Sequence, residues 1–362
     1  MSRRSEFWIV TSLTLLAFLL RLVDLDGRSP WLDENFTLLR FYSSWADIFN
    51  NTVVRQDTIY TTDINPPLYF ALLKAWGQLA GQSTFVLRLF SAVFTILAVP
   101  ASYALGCRLT NQGKIGLITA GLALLGPSYQ WYAGEIRAYS LLLFLGIANS
   151  YAFLRFLENK NSILELILWL ITSISIVFTH YSSVSLLIFQ PILFIYSVKY
   201  VYKKIDRKSI YKISIAFLII SLLLIFSSPF WIPTQWYAVR LALNALMTPR
   251  GQAISLSDWL AEIISALAFG LNAGDPTGRN GVITILIGLL IILGLSIGLE
   301  KQKRLALYGF IFVPILFWVA LPFLIESRPS FRYIIFIFPF LNICQANAIT
   351  LLGSAFQKWR PL

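Results

Sequence analysis

Two adjacent carboxylates, Asp33 and Glu34, stand in the stretch Gly27-Arg28-Ser29-Pro30-Trp31-Leu32-Asp33-Glu34-Asn35, directly after the first long apolar run of the chain. A carboxylate partly withdrawn from water is a stronger base. Pro30 and Trp31 place this pair in an apolar, turn-forming setting, so the chemistry it suggests is removal of a proton from a hydroxyl at a bilayer surface. A second acidic position, Glu135, lies in Tyr132-Ala133-Gly134-Glu135-Ile136-Arg137-Ala138-Tyr139-Ser140, where one apolar run gives way to the next. Arg137 stands beside it, and Arg328 and Arg332 flank the entry to the last run. Guanidinium groups grip phosphates through forked, charge-assisted bonds. His180, the only histidine, sits in Thr179-His180-Tyr181 at another such junction. Each residue also has a plain alternative. The acidic pair can be a solvated loop, Glu135 an ion-pair partner of Arg137 or Arg332 that pins a loop, the arginines snorkelling side chains, and His180 a packing residue. Lys74 and Arg88 suit a lipid phosphate or ordinary headgroups.

The elements that must position these residues follow from composition. Of 362 residues, 57% are hydrophobic and 13% charged, and mean hydropathy is +0.71, whereas soluble domains carry about 25% charged residues. Apolar runs of roughly 20 residues recur, each long enough to cross a bilayer as a helix. Backbone polar groups in lipid require helices here, so the fold class is all-α and polytopic. About ten transmembrane helices are predicted, at 7–24, 85–107, 114–131, 136–157, 163–180, 182–201, 211–231, 280–299, 305–325 and 331–353. The first is read as a retained helix rather than a cleaved signal.

The formal charge of +12 has a simple distribution on this topology. With the N-terminus inside, 17 basic and five acidic residues face the cytoplasm, and the outer side is balanced. The excess is positive-inside bias, which orients the chain and removes the case for a nucleic-acid partner. The chain reads as one membrane domain, 1–362, in a bacterial plasma membrane, with both termini cytoplasmic and long outer loops at 25–84 and 232–279. Pro66-Pro67-Leu68-Tyr69 opens a stretch too short and too polar at Lys74 to span. It is predicted to lie in the plane of the outer interface; counting it as a span would put the basic cluster 203–212 outside. Cys107 and Cys344 fall in apolar runs without metal-like or paired spacing. Trp31, Trp131, Tyr132 and other aromatics fit interfacial belts as well as sugar stacking.

An ordered set of motifs carries a resemblance: Trp31-Leu32-Asp33-Glu34, then Asp63-Ile64-Asn65-Pro66-Pro67-Leu68-Tyr69-Phe70, then Arg88-Leu89 with Ser91-Ala92, then Glu135-Ile136-Arg137-Ala138-Tyr139-Ser140-Leu141. Phe331-Arg332-Tyr333 with Pro339 is a weaker echo. Over about the first 200 residues the chain resembles the polyprenyl-phosphate-sugar-dependent glycosyltransferases of the GT-C fold class, related to protein O-mannosyltransferases and the lipid A aminoarabinose transferase. It is similar to their compact bacterial branch.

That resemblance implies Asp33 as catalytic base with Glu34 beside it and Glu135 as the second outer-loop acid. It implies Arg332, Arg328 and Arg137 at the donor phosphate, and His180, Tyr181, Asn65, Tyr69 and Tyr139 as acceptor or site support. Relatives carry a His at the place of Asn65, joined in some by an acid at the place of Asp63, to hold a divalent metal ion. Asn is the weaker ligand, which leaves Asp63 as the one candidate. The implied reaction moves a hexose or modified pentose from a polyprenyl-phosphate-linked donor to a hydroxyl on a glycan, lipid or protein acceptor, by single inverting displacement among membrane lipids. A transporter or flippase of lipid-linked saccharides would instead line a mid-membrane path with ionisable groups. An O-antigen polymerase or ligase is the other alternative, which the ordered motifs disfavour.

Overall fold

The computed structural model describes residues 1–55, 58–62, 65–159, 162–197, 211, 215, 256–269, 279–295, 299–320 and 331–358. Helix α1 (Arg3–Leu22) starts at Ser2, whose hydroxyl accepts the Ser5 N–H at 3.2 Å, a side-chain cap for one of the four free N–H groups of a helix start. Then come α2 (Leu32–Tyr42), α3 (Trp45–Phe49), β1 (Thr52–Arg55), β2 (Thr58–Thr62) and α4 (Leu68–Ala80). The central helices are α5 (Thr84–Thr110), α6 (Gly113–Leu125), α7 (Pro127–Ala133), α8 (Tyr139–Glu158), α9 (Ile163–Thr179) and α10 (Val184–Tyr196). The C-terminal part holds α11 (Leu256–Phe269), α12 (Arg279–Leu295), α13 (Lys301–Ala320) and α14 (Phe338–Lys358), the last preceded by a 3₁₀ stretch, Phe331–Ile337.

Five of the described helices are long and apolar enough to cross a membrane, and shorter apolar ones stand beside them. Helix α5 packs against α1, α6, α7 and α8; α8 packs on α9, α12 on α14, and α10 on α13. Leu105, Leu142, Ile147, Phe153, Phe310, Phe336 and Phe340 are buried in the resulting core. Leu15, Leu19, Ile285, Leu289 and Leu316 remain exposed, as expected of lipid-facing helix surfaces. Between α8, α9 and α10 runs a buried polar chain: Trp169 donates to Gln190 at 2.7 Å, Gln190 to Asn149 at 2.6 Å and Asn149 to Ser173 at 2.8 Å. Such bonds hold helices together where no hydrophobic effect acts between them.

One expectation needs correction. The span predicted at 114–131 is broken: α6 ends at Leu125 and α7 begins at Pro127. Proline has no N–H for the preceding turn and suits a helix start. Gly126 tolerates the tight join because a Cβ there would lie 2.9 Å from the Leu122 carbonyl oxygen and 2.8 Å from the Tyr129 ring. Arg21 satisfies the freed end of α6, donating to the Leu124 carbonyl at 2.9 Å and the Ala123 carbonyl at 3.1 Å. The span predicted at 211–231 lies outside the described residues, apart from Tyr211 and Ile215.

The segment between α1 and α5 holds more structure than the one helix read there from the sequence. The helix expected after Pro66-Pro67 is α4, but two further helices and an antiparallel hairpin precede it. The hairpin pairs Thr52 with Thr62 and Val53 with Thr61, slips at Val53/Val54, and continues with Val54 opposite Ile59. Arg40, fully buried, organises this loop. Its guanidinium donates to the carbonyls of Asn65 (2.9 Å) and Ile48 (2.7 Å) and to Asn51 Oδ1 (2.5 Å), and lies 3.9 Å from the centre of the Phe70 ring. Lys74 turns inward too, donating to the Phe41 and Ser43 carbonyls at 3.0 and 2.7 Å. Neither cation is arranged to meet a lipid phosphate.

Candidate active site

Asp33 and Glu34 fall in the first turn of α2, where the helix dipole favours carboxylates. Successive residues on a helix point about 100° apart, so the two neighbours diverge. Glu34 turns inward and is fully buried against Arg88, also fully buried. The Arg88 fork donates Nε to Glu34 Oε1 at 3.1 Å and Nη2 to Oε2 at 3.0 Å, while its Nη1 reaches the Leu25 and Arg28 carbonyls at 3.1 and 2.8 Å. The Ile136 N–H donates to Glu34 Oε1 at 2.9 Å, and the Trp31 N–H to Oε2 at 3.3 Å. Both carboxylate oxygens are thus filled, and Glu34 ties α2, α5 and the α7–α8 turn together. Glu34, read from the sequence as one of the acids of the site, is thus held by Arg88 and two backbone N–H groups, and Arg88 is buried with it.

Asp33 points the other way, half-exposed. Its Oδ2 accepts from Arg332 Nη1 at 3.0 Å across 299 residues of sequence. Arg332 is also aligned over the rings of Trp31 and Tyr139, at 5.6 and 5.9 Å. Arg137 closes the other side: Nη1 donates to the Asp33 carbonyl and to Thr37 Oγ1, each at 3.3 Å, and the guanidinium lies 5.8 Å from the Tyr139 ring. Arg332 reaches this place because the 3₁₀ stretch packs on α8 at Gly146. A Cβ at Gly146 would stand 2.5 Å from Phe336 Cβ and 3.4 Å from its Cα, so only glycine allows the approach.

Glu135 is buried in the turn between α7 and α8. Its Oε1 accepts the Trp131 indole N–H at 2.6 Å, whereas Oε2, equally buried, meets no hydrogen-bond partner. Burial pushes the carboxyl up to about 7, and the Trp131 bond and the Arg28 charge oppose that rise only in part. Arg28 stands 4.6 Å from the Trp131 ring centre and donates to the Gly134 carbonyl at 2.7 Å. Glu135 therefore makes no ion pair with Arg137 or Arg332 within 4 Å, the loop-pinning role open to it in the sequence.

The remaining candidates sit at varying depth. The His180 ring lies between Tyr139 (5.9 Å) and Tyr333 (5.2 Å). Its Nδ1 accepts the Ser182 N–H at 3.2 Å, which assigns the proton to Nε2. Tyr139 thus connects His180 to the arginine pair. Tyr181 opens the short 3₁₀ turn after His180. Tyr69 is buried with its hydroxyl 2.8 Å from Ser91 Oγ, a packing contact between α4 and α5. Asn65 is buried, with its carbonyl held by Arg40. Arg328 and Asp63 lie outside the described residues. Among the described residues no three His, Cys, Asp or Glu side chains come together to hold a metal. With Glu34 filled by Arg88 and Asp33 paired to Arg332, these two carboxylates form no open cation cradle.

Four residues that the motif pattern did not mark as site residues shape the site: Arg28, Arg88, Trp131 and Gly146. Arg88 and Arg28 stand within quoted motifs, but their inward direction has no signature in sequence. Gly146 lies mid-helix, where a glycine is disfavoured, and that was the available signal.

Among curated proteins, no match is found. Solved structures match over nearly the whole chain. ArnT from Cupriavidus metallidurans in the apo state superimposes with a TM-score of 0.63 at 14% identity, covering 98% of this chain and 62% of that one. Its undecaprenyl phosphate complex gives 0.61 at 15%, covering 96% and 63%. The Archaeoglobus fulgidus oligosaccharyltransferase, crystallised with Zn and sulfate, gives 0.58 at 14%, covering 97% and 50%. The chain thus spans less than two thirds of the length of these proteins, and at such identities the likeness shows the fold, that of GT-C membrane glycosyltransferases. Residues 59–243, a little over half of the chain, match the profile of one family, and on that match the chain belongs to the dolichyl-phosphate-mannose-protein mannosyltransferase family.

Proposed function

We propose that this chain transfers a sugar, a hexose or a modified pentose, from a polyprenyl phosphate carrier to an acceptor hydroxyl at the outer face of a bacterial plasma membrane, with both termini in the cytoplasm. The observation that carries the proposal is the meeting of Asp33 and Arg332 at 3.0 Å. A half-exposed carboxylate in the first turn of α2 and a half-exposed guanidinium in the 3₁₀ stretch before α14 stand together, with Arg137 and Glu135 close by. Support comes from the family match and from ArnT, whose structure was solved bound to undecaprenyl phosphate.

In the proposed reaction Asp33 removes the proton from an acceptor hydroxyl on a glycan, lipid or protein, and the oxygen attacks the anomeric carbon of the sugar. The bond from that carbon to the carrier phosphate breaks, and the configuration inverts. The departing phosphate gains negative charge, which Arg332 neutralises from a fixed position between two rings, so little reorganisation is needed at the moment of reaction. Arg137 and Arg328 are the further phosphate candidates, and Tyr139 and His180 support the arginine side.

The test is mass spectrometry of polyprenyl-phosphate sugars incubated with purified protein and its Asp33→Asn variant in lipid nanodiscs, with a membrane extract as acceptor pool. Loss of sugar from the carrier with the wild-type protein alone is the expected result. An intact carrier in both, or equal consumption in both, overturns the proposal or its base.

A further inference from the structure

The proposed base and the proposed phosphate ligand occupy each other. Among the described residues, Arg332 is the cation within 4 Å of the Asp33 carboxylate. Both side chains keep a quarter or more of their surface exposed, 25% for Arg332 and 30% for Asp33. The second acid–base pair of the site is built oppositely: Glu34 and Arg88 are fully buried, doubly bonded and backed by two backbone N–H groups and two carbonyls. Opening that pair strands a buried charge, which is costly. Opening the half-exposed pair loses little, because water and a new partner compensate both ions.

A phosphate group is such a partner. It offers two oxygens to the planar fork that Asp33 engages through one contact. Arg332 need not travel, since its guanidinium is already placed by the rings of Trp31 and Tyr139, and the Asp33 backbone is held by Arg137.

Resting on the proposed function, we infer that the donor phosphate displaces Asp33 from Arg332, so that Asp33 becomes a free base only once the donor is seated, and the donor binds before the acceptor is activated. No bond is made or broken in this step; one ion pair is exchanged for another. An acceptor hydroxyl arriving first finds Asp33 Oδ2 already taken by the Arg332 Nη1–H at 3.0 Å.

The exchange makes a distinctive claim about binding. Because Asp33 competes with phosphate for Arg332, Asp33→Asn should tighten undecaprenyl phosphate binding by about threefold to fivefold, the range expected for loss of one partly exposed ion pair. In an Arg332→Gln background the same substitution should leave affinity unchanged. The measurement is titration of undecaprenyl phosphate into the four proteins of this cycle in nanodiscs. Tightening by Asp33→Asn of equal size in both backgrounds would mean plain charge repulsion and overturn the exchange, as would no tightening in either. Absence of undecaprenyl phosphate binding in every variant, wild type included, would instead overturn the phosphate site itself.

A second measurement needs no substitution at Arg332. In protein labelled with ¹³C-aspartate, the infrared carboxylate band that disappears in Asp33→Asn should shift when undecaprenyl phosphate is added. An unshifted band in a protein that binds the lipid overturns the exchange.

Discussion

Glu34 and Arg88, 54 residues apart in sequence, meet through two parallel hydrogen bonds of 3.1 and 3.0 Å with neither side chain reaching solvent. This pair fixes the direction of α2 and hence the orientation of Asp33, its neighbour.

The first prediction concerns that pair. Removing either partner leaves an uncompensated buried charge, so Glu34→Ala or Arg88→Ala should destabilise the protein by about 3–5 kcal/mol. Thermal unfolding in detergent should show a lowered midpoint for each single variant, and activity should fall with the folded fraction. A Glu34→Ala protein of normal stability but no activity would return Glu34 to the chemistry.

Glu135 gives a pH dependence of defined sign. Its carboxyl is raised to about 7 from the model-peptide value of 4.5, so the folded protein holds the proton more tightly than the unfolded chain does. The penalty for burying the charge is absent below the unfolded value, grows as pH rises between the two, and is complete above about 7, amounting to roughly 3 kcal/mol. Wild type should therefore lose stability relative to Glu135→Gln as pH rises from 5 to 8, with the two converging at acid pH. Parallel unfolding midpoints across that range would show the carboxylate to be compensated.

Trp131→Phe removes the indole N–H that stabilises the charged form of Glu135. The carboxyl should titrate still higher, moving the stability transition of the previous experiment to more alkaline pH. An unmoved transition would show that the 2.6 Å bond contributes nothing to the ionisation.

Gly146 should be a distant control on activity. Gly146→Ala forces a methyl against Phe336, and overpacking of this kind costs about 1–3 kcal/mol. If the 3₁₀ stretch gives way instead of α8, Arg332 leaves Asp33 and turnover falls by more than stability does. Phe336→Leu in the same protein should recover part of the turnover, as measured by sugar release from the carrier. Unchanged kinetics in Gly146→Ala would mean that the stretch adjusts without moving Arg332.

Arg332→Ala should weaken donor binding and lower turnover together, because a group that meets the phosphate before and during bond breaking acts on both. Unaltered kinetics would return Arg332 to a headgroup contact.

The sequence by itself determined the class. A 57% hydrophobic composition and recurring apolar runs demand helices in a membrane, because backbone groups in lipid must bond within their own segment. It also placed α1, α5, α8 and α9 within a few residues, and the start of α4 after Pro66-Pro67, since apolar length, flanking charge and a proline pair are local properties. The motifs around Asp33 and Glu135 were legible for the same reason, being short and contiguous. Direction was not legible. That Glu34 turns inward while Asp33 stays at the surface depends on Arg88 and on the Ile136 N–H, 102 residues away in sequence. That Arg332 joins Asp33 depends on a single missing Cβ at Gly146. The break at Gly126-Pro127 leaves no mark in hydropathy, because the apolar run continues through it and hydropathy does not register a lost hydrogen bond. Helix content follows from the solvent the chain meets, whereas the pairing of charges follows from which backbones can come close, and only the packed structure decides that.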